Sequence, residues 1–154
     1  MPSTELHHSY EVGAPPADVL AHLADPAHYI GLSPLLVDVR EVRHGDDGTT
    51  RYVAVERFRF LGLFTHDNRI EVTLRADPSR LPAEAAVSGD VVSPGGVRMS
   101  YRFTITPGSG ATSRLSDTLH LHAPFGLLRF AARQAAAVQQ SRARVLATRL
   151  APAP

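Results

Sequence analysis

Glu56 lies between Ala54 and Phe58, in a run that otherwise places apolar residues at even positions. His66 and Asn68 open the apolar register of the next run. If the two runs pair around Gly62, Glu56 stands opposite Asn68, with His66 one diagonal step away. A carboxyl and an imidazole so placed make a general acid/base pair, and burial raises the glutamate pKa toward neutrality. The plainer alternative is a polar pair that satisfies itself, or a strand end wet enough not to matter. Tyr101 and Asp117 form a second pair, set opposite each other by a hairpin centred on Gly108-Ser109-Gly110. Such a pair orients a carboxylate or polarises a carbonyl; it is also how cores satisfy polar groups. His8 and Tyr10, on the first run, are lesser candidates of the same kind.

Other chemistries are excluded. There is no cysteine, so thiol catalysis, disulfides and Cys-type zinc sites are out. Eight histidines invite a metal reading, but His120 and His122 face outward, His7 and His8 point to opposite sides, and no third ligand has recognisable spacing. No metal site and no cofactor are expected. Phosphate-binding loops and nucleophile elbows are missing. The net charge of +1 calls for neither nucleic acid nor membrane. All basic side chains are arginine, and no acidic residue follows Asp117, whereas Arg129, Arg133, Arg142, Arg144 and Arg149 do. Arginine is a good helix former, which accounts for most of these. Lacking an apolar leader or a long apolar run, the chain is expected to be cytoplasmic, without stable membrane insertion, and a monomer or homodimer.

The elements that must hold these residues follow from periodicity. Leu6, His8, Tyr10 and Val12 alternate with polar residues and predict a half-buried strand. Gly13-Ala-Pro-Pro breaks it, and residues 17–24 then read as a short helix, followed past Asp25-Pro26 by a second through Tyr29 and Ile30. Six strands follow: 36–43, 50–60, the run through His66 to Leu74, 83–92, 97–105 and 115–121. Turns fall at Gly45–Gly48, Leu61-Gly62-Leu63, Pro94-Gly95-Gly96 and Pro107–Gly110. The concave side is then mostly apolar, with Phe58, Phe60, Ile70, Val72, Met99, Phe103, Leu115 and Leu119 on it.

Residues 124–150 predict one long helix, built from Ala, Leu, Gln and Arg. At 100° per residue Leu128, Ala131, Ala135, Val138, Val145 and Leu146 share a face. That stripe is half alanine, so the helix does not fill the space beneath it. Arg142 falls inside the apolar face, where a charge is expensive unless paired or able to reach water. Three outcomes stay open: pairing with Glu56 or Asp117, contact with an anionic ligand group, or an excursion into solvent. In the ligand-contact case Arg142→Met keeps or raises stability.

The order strand, two short helices, six strands, long helix resembles the helix-grip fold of the START/Bet v1-like superfamily, and its bacterial polyketide cyclase/dehydrase and lipid-transport branch. The segment SYEVGAPPADVLAHLADPAHYI is similar to that branch's first strand, Ala-Pro helix entry and Asp-Pro break. SGATSRLSDTLHL is similar to its last hairpin, with Ala111 inserted between Gly110 and Thr112. Where the branch often carries a Trp after Asp-Pro, this chain has Tyr29 as its nearest aromatic. The resemblance covers residues 5–150 and implies an α+β fold: a seven-stranded curved antiparallel sheet gripping the C-terminal helix in a single domain, 1–154. It further implies a cavity for a small hydrophobic molecule of lipid, polyketide or isoprenoid type. Its lining would include His8, Tyr10, Tyr29, Phe58, Asn68, Met99, Phe103, Ala131, Ala135, Val138 and Arg142. The alternative is a cofactor-independent cyclase or dehydratase using Glu56, His66, Asp117 and Tyr101. A closed interaction module is a third, weaker reading.

Overall fold

The computed structural model describes residues 2–60 and 64–152, and for 59 and 60 the backbone only. The strands are β1 (Ser3–Val12), β2 (Leu36–His44), β3 (Thr49–Phe60), β4 (Phe64–Asp77), β5 (Ala85–Val92), β6 (Arg98–Pro107) and β7 (Ser113–His122). They form one antiparallel sheet in the order β1-β7-β6-β5-β4-β3-β2. Two α-helices, α1 (Pro16–Leu23) and α2 (Leu128–Arg149), and a 3-10 turn at Pro26–Tyr29 complete the grip.

Local chemistry sets the helix boundaries. Pro16 occupies the first turn of α1, where its missing N–H is no loss. Asp25 caps the 3-10 turn by accepting from the Ala27 N–H at 3.0 Å. Tyr29 donates its hydroxyl to Leu23 O at 2.7 Å, which satisfies a carbonyl at the C-terminal end of α1. The long helix is shorter than its composition predicts. Residues 124–127 form a turn in which Leu127 N–H bonds Pro124 O, and Gly126 takes φ +91°, so α2 starts only at Leu128. At the other end the chain passes close to the break after β1: a side chain at Gly13 would strike Pro152.

The sheet is sealed at one end and open at the other. Val12, Ala85, Val87, Ile105 and Leu115 are buried where α1 packs onto β5 and β6. Toward the opposite end the inward positions Leu6 of β1, Glu56 and Phe58 of β3, Asn68 of β4, Val91 of β5 and Met99 of β6 are only half-buried, as are His8 and Tyr10 further along β1, level with Asp117 and Leu115. α2 enters at this open end and packs mainly against β1 and β7, on the far side of the sheet from β3 and β4. The predicted turn at 61–63 lies outside the described residues, as does the Phe60 side chain.

Two registers decide where the polar residues fall. β3 and β4 pair with Glu56 opposite Asn68 and Phe58 opposite His66, as a hairpin centred on Gly62 requires. β6 and β7 do not pair as the turn residues suggest. Their loop runs from Gly108 to Thr112 and centres on Gly110, with φ +64°, because Ala111 adds a residue. Thr112 closes the loop by donating to Ser109 O at 2.7 Å. Tyr101 therefore faces Leu119, and Phe103 faces Asp117. The shift keeps every side chain on its face but moves each partner two residues along.

Candidate functional site

The centre of the concave face is an ion pair. Asp117 on β7 is fully buried and Arg142 on α2 is 7% exposed. Arg142 Nε donates to Asp117 Oδ2 at 3.1 Å, and its Nη2 reaches Oδ1 at 3.0 Å and Oδ2 at 2.8 Å. The guanidinium also stacks over Phe103, 4.8 Å from the ring centroid. Burial, the largest single influence, lowers the Arg142 pKa; the charge and hydrogen bonds of Asp117, with Tyr10 and Tyr29, together outweigh it, so the net direction is upward and the arginine stays charged. Of the three outcomes open for Arg142, the structure shows the pairing with a sheet carboxylate.

Gln139 completes this layer and is absent from the predicted list. It is 3% exposed and donates to Asp117 O at 3.1 Å and Leu6 O at 3.4 Å, tying α2 to β7 and β1. Its signal is in the sequence: it sits four residues after Ala135 and three before Arg142. The buried stripe runs Ala135, Gln139, Arg142, Leu146. Val138 lies at the edge of that stripe and is only half-buried, so the face is rotated by one position from the expected one. Ala131 and Ala135 do face the core.

The tyrosines divide by what their hydroxyls touch. Tyr29 is engaged with Leu23 O. Tyr101 donates to Thr73 O at 2.8 Å, at the place where the β4–β5 ladder lapses opposite Gly89. Any side chain at Gly89 would overlap Thr73 O, and its Cβ would fall 2.6 Å from the Tyr101 hydroxyl. Tyr101 thus fastens the sheet and does not pair with Asp117; its expected role beside that carboxylate is corrected by the register and by this bond. Tyr10 is different. Its hydroxyl is buried and has no hydrogen-bond partner among the described residues. Burial, then the nearby Asp117 charge, raises its pKa against the opposing pull of Arg142, so it remains a protonated donor. His8, 5.4 Å away ring to ring, sits beside it on β1.

The predicted acid/base pair separates. His66 is exposed and its Nε2 bonds Asn68 Oδ1 at 2.9 Å; no hydrogen bond joins it to Glu56 among the described residues. The reason is position: His66 is the third residue of β4 and lies beyond the ends of β5, β6 and β7, where it meets solvent. Glu56 is half-buried, and burial raises its carboxyl pKa. The folded state therefore holds this proton more tightly than the unfolded state. As pH rises from the usual glutamate value through the raised one, Glu56 takes stability away. Glu56→Gln is expected to be more stable than the parent at pH 7, with the difference shrinking as pH falls toward 4, by chemical denaturation at each pH. A constant difference across that range would contradict a buried, titrating Glu56.

Among the described residues no group of three or more His, Asp or Glu side chains is arranged to hold a metal ion. No described helix is long and apolar enough to cross a membrane.

With this geometry established, comparison with known proteins is informative. The sequence model of a family described as "Polyketide cyclase / dehydrase and lipid transport" matches residues 3–151. No curated protein sequence matches the chain. Among solved structures, the Zhui aromatase/cyclase from Streptomyces sp. R1128 superposes with a TM-score of 0.76 at 16% identity, covering 97% of this chain and 94% of that one. A START superfamily protein from Mycobacterium smegmatis gives 0.68 at 12% identity, covering 95% and 96%. The human StarD13 (DLC2) lipid transfer and protein localization domain gives 0.70 at 16%, covering 97% and 78%. At these identities the superpositions establish the helix-grip fold and nothing finer.

Proposed function

This chain belongs to the polyketide cyclase / dehydrase and lipid transport family, and from that premise we propose that it binds a small, neutral, hydrophobic molecule between the sheet and α2. The observation that carries the reading is the Tyr10 hydroxyl, a buried donor without a partner. Leaving such a group unpaired costs about 1–3 kcal/mol. A ligand oxygen placed there would remove that cost. The surrounding wall is apolar, from Leu6, Phe103, Met99, Ala131 and Ala135, as ligand sites usually are. Arg142 is already neutralised by Asp117, so the site has no free cation at its centre for a ligand carboxylate. A molecule with a ketone, quinone or phenol oxygen fits better than a fatty acid.

The test uses Nile red, a neutral dye with one carbonyl. Tyr10→Phe is expected to weaken its binding roughly tenfold, the worth of one hydrogen bond, while leaving the protein as stable or slightly more so. Unchanged affinity would remove Tyr10 from the site.

A cyclase or dehydratase remains the second reading, and Glu56 is the observation favouring it. It is a half-buried carboxyl with a raised pKa, on the inward face of the open half of the grip. Proton transfer there would proceed without His66 or Tyr101, with Glu56 as the acid/base group and Tyr10 as the donor to a carbonyl.

A further inference from the structure

We infer that the open end of the grip docks reversibly on an anionic lipid surface. Three large exposed apolar side chains collect where β7 leads into α2. Phe125 is 95% exposed, Phe130 61% and Leu127 44%, all on the turn and first helical residues that lead from β7 into α2. Val92, at the end of β5, is 43% exposed. The antiparallel order brings these points to one end of the sheet, because β6 starts where β5 and β7 stop, with Arg98 opposite both Val92 and His122. The turn before β6 touches the entrance of α2: a Cβ at Gly96 would meet Pro124 at 3.4 Å.

On the segment that leads from β7 into α2 the charges have one sign. Arg129 and Arg133 are exposed there, as is Arg98 at the start of β6, and no acidic residue occurs after Asp117. Among the acidic side chains toward this end, Glu5 lies 3.3 Å from His120 and Asp90 accepts from the Ser100 hydroxyl at 2.7 Å, while the exposed Glu71 lies on β4, three strands from β7. Protruding aromatic residues backed by arginine suit the boundary between headgroups and acyl chains, where the rings leave water and the guanidinium groups meet anionic lipid. An acidic protein surface would match the charge but would leave Phe125, which stands almost free of its own chain, without an apolar phase to enter. A second copy of this chain would set like charges against each other. Docking would be peripheral and reversible, with no helix entering the bilayer, and it stands whether or not the grip holds a ligand.

Flotation of the full chain with vesicles tests this, using phosphatidylcholine alone or mixed with phosphatidylglycerol. The chain is expected to float with the mixed vesicles and not with phosphatidylcholine alone, and less so as salt rises. Phe125→Ser should lower the partition coefficient roughly tenfold, the cost of returning one phenyl group to water. Arg129→Gln should lower it about fivefold. Both sites are exposed, and circular dichroism would verify that the variants fold. Val42→Ser, at an exposed site on the far part of β2, should float like the parent. Failure to float with either vesicle overturns the inference, and so does flotation that Phe125→Ser leaves unchanged. Concentration-dependent self-association abolished by Phe125→Ser would also overturn it, since the tip would then be an interface between copies.

Discussion

Asp117→Ala is expected to destabilise the protein by about 3–5 kcal/mol, the usual consequence of removing one partner from a buried ion pair. The substitution leaves the Arg142 guanidinium buried against Phe103 with no counter-charge, and it opens a gap beneath α2. Arg142→Met is expected to cost a similar amount, because it strands the fully buried Asp117 carboxylate. This reverses the expectation for a ligand-facing arginine, whose replacement by Met would have been harmless. The double variant Asp117→Leu/Arg142→Met should recover most of the loss, since apolar groups of similar volume replace buried pairs at little cost. Urea denaturation of the three variants gives the comparison. Single variants within 1 kcal/mol of the parent would show that water reaches the pair, and the neutral interior inferred for the site would fall with it.

Ala135→Phe carries the second large effect. Ala135 is 9% exposed on the face of α2 that looks across the grip. The half-buried inward residues of β3, β4, β5 and β6 lie beyond β1 and β7, the strands that α2 packs against. A phenyl group added at residue 135 must enter whatever space lies between helix and sheet. If that space accommodates a ligand, the ring fills it: the protein stays folded and Nile red binding is lost, by fluorescence titration. A tightly packed interior responds differently, because overpacking a filled core costs about 1–3 kcal/mol. Marked destabilisation of Ala135→Phe, with no dye bound by the parent, would mean that the grip is closed.

The fold was legible because the chain punctuates its strands with Gly and Pro and keeps strict alternation inside them. β4 shows this best: its outward residues are all polar, so one face could be assigned without reference to any partner. The β3–β4 register followed from a symmetric turn. The β6–β7 register did not, because one inserted alanine moves the hairpin centre, and turn residues alone do not reveal which glycine takes the positive φ. The start of α2 was misplaced for a related reason: Gly126 sits just inside an otherwise helical composition and stops the first turn from forming.

The site was less legible than the sheet. Arg142 stood out as a charge in an apolar stripe, and its partner was one of the two inward carboxylates open to it. Gln139 was readable from helical angle and was overlooked because glutamine reads as surface. Tyr101 was not readable. Its hydroxyl meets a backbone carbonyl two strands away, through a break in the ladder that only tertiary structure creates. The unpartnered Tyr10 hydroxyl is likewise a property of the assembled core, since sequence shows that a tyrosine faces inward but not what it finds there.

The most direct measurement is a crystal structure of the protein grown with Nile red. The account predicts density for the dye between β1 and α2, its carbonyl oxygen within hydrogen-bonding distance of the Tyr10 hydroxyl and the Asp117–Arg142 pair intact. Density confined to the outer groove beside Asp90, Arg98 and His122, or an Arg142 drawn away from Asp117 to the ligand, would contradict it.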